Sequence, residues 1–129
     1  LGDRLSKKYL LSSLYFSRAL AVMFFLLFPK TDISVMIFAS VMGALWLATI
    51  PLTSGLVAHI FGARYMATLF AIVYFSHQIG SFLGVWLGGY LFDATGSYDG
   101  VWIVTIILGF VAAALHLPIA EKPLRTQAA

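Results

Sequence analysis

Apolar residues run nearly unbroken through four stretches of the chain, and polar residues gather in the short gaps between them. The runs are Tyr9–Phe28, Ile33–His59, Met66–Phe92 and Val101–Leu117. The hydrocarbon core of a bilayer is about 30 Å thick and takes about 20 apolar residues as helix. The first three runs reach that length, and the fourth is near its lower limit. Lipid offers the backbone no hydrogen bonds, so a spanning segment is a helix or a strand of a closed barrel. These runs do not alternate apolar and polar positions, and they exceed the length of a barrel strand. The pattern predicts an all-α, polytopic membrane protein with four transmembrane helices at about residues 9–28, 33–59, 66–92 and 101–117.

Composition strengthens that picture. The 129 residues are 61% hydrophobic and 10% charged, against about 25% charged in an ordinary soluble domain. The net charge of +3 is sorted by gap rather than clustered on one face, which gives no footprint for nucleic acid. Arg4, Lys7, Lys8, Arg64, Lys122 and Arg125 fall in the first, third and last gaps, and only Lys30 falls in the other two. By the positive-inside rule the basic gaps face the cytoplasm. Both ends are then cytoplasmic, as four crossings of a plasma (cell inner) membrane require. With no Cys there are no disulfides or thiolate sites. His59, His77 and His116 are not spaced as metal ligands, so no metal and no cofactor is expected. The chain opens on Leu1 and a charged loop, which reads as the interior of a longer protein.

The gaps predict their own turns. Asp32 or Ser34 is placed to cap the second helix and Asp99 the fourth, because a side-chain oxygen accepts a free N–H there. The segment 93–98 reads as a compact turn in which Gly96 supplies the backbone angle. Gly80, Gly84 and Gly88 recur every fourth residue on the third helix, which makes one small-residue stripe for close helix packing. Phe75, Phe82 and Trp86 lie opposite. Between them sit Tyr74, Gln78 and Ser81, with His77 beside them at bilayer depth. Polar groups there face a bundle interior or a water-filled cavity, and two readings stand: neighbour-bonded side chains or a solute path.

Pro51 lacks an N–H and predicts a bend in the second helix. The Leu47 carbonyl loses its partner, which Thr53, Ser54 or water is placed to replace. Such broken segments mark binding sites in transporters, or are static kinks. Arg18 lies about 15 Å past Lys8 along the first helix, near the bilayer centre. A charge there costs at least about 2.5–3.5 kcal/mol. It pairs with an anion, or it snorkels past Tyr15 to the headgroups or bonds a carbonyl inside the bundle.

The opening segment, residues 1–8, resembles the cytoplasmic loop motif G-x-L-x-D-R-x-G-R-R of the major facilitator superfamily. Asp3 and Arg4 match its Asp-Arg pair, Lys7 and Lys8 its basic positions, and Ser6 departs from its Gly. The stretches 51–58, 61–64 and 93–98 look like the monocarboxylate-transporter-like branch. The resemblance implies helices nine to twelve of a twelve-helix transporter, with the preceding helices as missing partners of the same protein. It makes the first and fourth helices scaffold and the second and third the cavity wall. Arg18 then acts in packing or gating. The substrate-cavity candidates are Trp46, Thr49, Thr53, Tyr74, His77 and Gln78, chosen on depth and polarity.

The expected function is transmembrane transport of a small solute, an organic anion such as a monocarboxylate, by a secondary alternating-access carrier of which this chain is a part. Proton coupling is implied by the resemblance, and His77 is the one titratable candidate at depth. Asp3 and Arg4 are expected to form a cytoplasmic latch. The rival is a self-contained four-helix membrane protein, a dimeric small exporter or a complex subunit, in which the glycine stripe is the interface. An enzyme is not expected, since no nucleophile–base pair and no phosphate-binding loop is present. The bilayer and the solute are the remaining partners.

Overall fold

A computed structural model describes residues 6–123, and every regular element in that range is α-helical. The helices are α1 (Lys7–Leu27), α2 (Asp32–Phe61), α3 (Ala63–Thr95) and α4 (Asp99–His116). All four are long and apolar enough to cross a membrane.

The turns differ in detail from the expected ones. Thr31, rather than Asp32 or Ser34, occupies the N-cap of α2. Its Oγ1 accepts from the Ser34 N–H at 3.2 Å, and the Ser34 hydroxyl accepts from the Thr31 N–H at 2.9 Å. This reciprocal pair satisfies two free donors at once. Asp32 is the first helical residue, where its negative charge meets the helix dipole favourably. Asp99 likewise opens α4 rather than capping it, and its N–H donates to Ser97 Oγ at 3.0 Å. Gly96 ends α3 at φ 70° as its type predicts, with its N–H bonded to Phe92 O at 2.7 Å.

The expected gap at residues 60–65 is almost entirely helix. Only Gly62 separates α2 from α3, at φ 79° and ψ 168°. A residue with a Cβ resists that backbone region. The helix also runs through Pro51. The Leu47 carbonyl is not rescued by either hydroxyl: Thr53 donates to Thr49 O at 2.9 Å and Ser54 to Pro51 O at 3.2 Å. Ser and Thr hydroxyls reach back three or four residues along a helix, and Leu47 lies further back than that from both.

The four helices alternate in direction. α1 lies between α4 and α2, α3 lies along α2, and α3 touches α4 only lightly. The closest approach is between α1 and α4. Leu11 and Val22 are each 1% exposed, and Ala19 and Ala113 are also buried. A Cβ built on Gly109 would stand 3.0 Å from the Ala19 Cβ. Small residues at this crossing bring the backbones together, which is how membrane helices gain contact without a hydrophobic drive. Ser12 adds a bond across the seam, donating to Ala113 O at 2.8 Å. Toward the opposite end, Phe25, Phe38 and Trp102 from α1, α2 and α4 cluster with ring centroids 4.2–6.2 Å apart.

The remaining apolar surface faces outward. Leu47 is 74% and Val85 80% exposed, with more than a dozen other large apolar side chains beside them. Patches of this extent belong against lipid or against further protein. Gly80 and Gly84 meet nothing within 4 Å, and Gly88 alone approaches a helix, at Val101 of α4.

Candidate functional site

α2 and α3 run antiparallel about Gly62, so residues equally far from that turn stand at one depth. Trp46 of α2 accordingly meets His77 of α3, their ring centroids 6.2 Å apart at 72°. Thr49 and Thr53 follow one another at helical spacing on the same side of α2, while Tyr74, His77 and Gln78 share a turn of α3. All six line a single cavity of about 540 Å³, with Ile50, Phe70 and Val73 as apolar wall. This volume suits a small organic ligand.

The cavity also receives residues from both helices expected to be scaffold: Tyr15 and Arg18 from α1, and His116 from α4. Arg18 is half-buried and points across to α2. Its Nη2 donates to Leu45 O at 3.0 Å and to Thr49 Oγ1 at 2.8 Å. The guanidinium carbon sits 5.4 Å from the Tyr15 ring centroid and 5.2 Å from that of Trp46, within range for attraction between a cation and an aromatic face. Arg18 therefore does not snorkel; Tyr15 lies over it, and a bundle carbonyl receives it. Its Nε is buried with no hydrogen-bond partner among the described residues.

The His116 ring stacks on Tyr15 at 5.0 Å and 23°. His116 Nδ1 lies 2.6 Å from Ala112 O, a carbonyl that can only accept, so Nδ1 carries the proton of that bond. His77 also lies 6.1 Å from the Tyr74 ring. Four helices thus contribute to one sequence of rings and a cation: His116, Tyr15, Arg18, Trp46, His77. Tyr15 was legible as the residue one helical turn before Arg18. His116 carried no sequence signal beyond its type. No group of His, Asp or Glu among the described residues is placed to hold a metal ion.

A second cluster lies where α1 begins. Glu121, past the end of α4, accepts from the Ser6 hydroxyl and, at 2.9 Å, from the Lys8 backbone N–H. His59 Nε2 donates to the Glu121 carbonyl at 3.2 Å. Partial burial pushes the Glu121 carboxyl up, but the bonds from Ser6, Lys8 and Lys7 and the Lys8 charge outweigh it and hold the carboxyl below its usual range. The stem of Lys7 packs near Gly55. Of the four loop-motif residues, Lys7 and Lys8 take part in this cluster, while Asp3 and Arg4 lie outside the described residues. A further hollow of about 610 Å³ near Phe24, Phe28 and Val41 is lined almost wholly by apolar groups and holds no chemistry.

The comparisons with known proteins agree on one family. The model of the Major Facilitator Superfamily matches residues 1–129. An uncharacterized MFS-type transporter of Bacillus subtilis (strain 168), YcxA, is 28% identical over 122 residues, which cover 91% of this chain and 30% of that protein. The chain thus spans about a third of the length of the curated relative it matches. No solved structure matches.

Proposed function

We propose a function from one premise: the chain belongs to the major facilitator superfamily, a family of membrane transporters. The chain is an integral membrane segment, and its work is transport rather than catalysis. Beyond that, we read it as helices nine to twelve of a secondary carrier for small organic anions such as monocarboxylates. Its ends face the cytoplasm across the plasma (cell inner) membrane, and the solute binds at mid-depth while two bundles rock about it.

The observation that carries this reading is the cavity itself. Polar side chains from α2 and α3 converge at one depth between apolar walls, and a cation but no carboxylate stands among them. Such a site suits a solute with a small apolar body and a negative charge. Uptake of labelled anions by proteoliposomes of the full-length transporter tests it. Accumulation of a short monocarboxylate, faster with an inward proton gradient, is expected. Transport of neutral or cationic solutes only would overturn it.

A further inference from the structure

We infer that Arg18 holds the negatively charged group of the transported solute, an assignment that rests on the transport reading above and gives α1 a role beyond scaffold. Arg18 stands about 16 Å along α1 from Lys7, where a fixed charge is strongly disfavoured unless something answers it. None of the cavity's lining residues is acidic. The described acidic side chains lie elsewhere: Asp32 and Asp99 open α2 and α4, Asp93 is in the last turn of α3, and Glu121 follows α4.

The partners that Arg18 does have are neutral. Leu45 O and Thr49 Oγ1 both bond the same nitrogen, Nη2. They fix the plane of the guanidinium and leave its charge uncompensated. Tyr15 and Trp46 hold the group from its sides. Nη1 makes no hydrogen bond among the described residues, so a terminal nitrogen remains for a ligand in the cavity. Across that space, Tyr74, His77 and Gln78 line the wall, and their side chains have no hydrogen-bond partner among the described residues. Thr53, Ser76 and Ser81 instead spend their hydroxyl protons on carbonyls of their own helices. The site thus offers one fixed positive charge on α1 and free polar groups on α3, with apolar surface between. The ligand class that fits is a small monoanion whose carboxylate meets Arg18.

The test uses the purified full-length transporter in detergent. Dissociation constants are measured for acetate, propionate, lactate and pyruvate, each beside its carboxamide. The carboxylate-to-carboxamide affinity ratio within one protein does not depend on how much of it is folded. In Arg18→Gln that ratio is expected to fall about 10- to 100-fold, as for loss of a charge-assisted hydrogen bond, with carboxamide binding unchanged. A ratio that survives, or equal loss for both ligand types, overturns the assignment and leaves Arg18 a packing residue. Where Arg18→Gln does not fold, the wild type labelled with 15N-arginine gives the answer. The Arg18 resonance, identified by its loss in Arg18→Lys, shifts with carboxylate and not with carboxamide; no shift overturns the assignment. If the wild type binds none of the four acids, the transport reading itself fails, a result separate from failure of the Arg18 variant alone.

Discussion

The Glu121 carboxylate accepts a hydrogen bond from the Lys8 backbone N–H at 2.9 Å, tying the segment after α4 to the first turn of α1. The free N–H groups at a helix start favour an anion, and here the anion comes from the far end of the chain. The Glu121 carboxyl is held below its usual value, so its stabilising contribution is complete above the ordinary carboxylate pKa, about 4.3. It is lost as pH falls through the lower folded value. Glu121→Gln should melt below the wild type at neutral pH. The gap between the two melting midpoints should close as the pH is taken down past that range.

Gly109 and Ala19 set the distance between α1 and α4. A Cβ at position 109 meets Ala19 at 3.0 Å, and a larger side chain must push the helices apart. Gly109→Leu should destabilise the protein by about 1–3 kcal/mol, the usual range for overpacking a tight contact. Thermal unfolding in detergent measures it.

Gly84 gives the contrasting case. It meets nothing within 4 Å, and no described helix packs on the stripe at Gly80 and Gly84, where the transport reading expects a further helix of the full-length protein. In the full-length transporter Gly84→Leu should cost stability comparable to Gly109→Leu. An unchanged midpoint would mean that the stripe faces lipid and that no further helix packs there.

Thr49 stands between Arg18 and the Leu45 carbonyl, accepting from one and donating to the other at 3.1 Å. Thr49→Val removes the acceptor and keeps the volume. Arg18 then loses one of its two anchors, and the KM for an anionic solute should rise severalfold while kcat changes less. Initial-rate uptake over a range of solute concentrations separates the two.

The Lys8–Glu121 bond brings the start of α1 and the segment after α4 to one end of the bundle, and the alternating helices carry Lys30 to the other. Single cysteines at Lys7 and Lys122 should react with an impermeant maleimide from the same side of sealed membranes, and a cysteine at Lys30 from the opposite side. A split between Lys7 and Lys122 would refute the four-pass reading.

Most of the fold was legible because bilayer solvation writes itself into composition: every run of apolar residues became a helix. The cavity wall was legible in part, since polar side chains at helical spacing in apolar runs have few places to go. Depth and polarity picked out Trp46, Thr49, Thr53, Tyr74, His77 and Gln78, and all six line one space. Less visible were contacts that depend on how helices cross. Tyr15 and His116 join the cavity only because α1 and α4 lean over it. Glu121 lies in a polar tail with nothing local to mark its bond to Lys8. The tight crossing falls at Gly109, a lone glycine, rather than at the regular stripe on α3, because the described neighbour of that stripe touches it only at Gly88. Thr31 won the cap from Asp32 because a reciprocal bond with Ser34 satisfies two donors where an aspartate would satisfy one.

α2 has 30 residues and α3 has 33, about 45 and 50 Å of helix against a hydrocarbon core near 30 Å. One residue, Gly62, joins them. Successive Cα atoms are only about 3.8 Å apart, so this joint holds no slack. A lengthwise shift of α2 must reappear in α3. The pair can pivot together as a single lever, but neither arm can slide past the other.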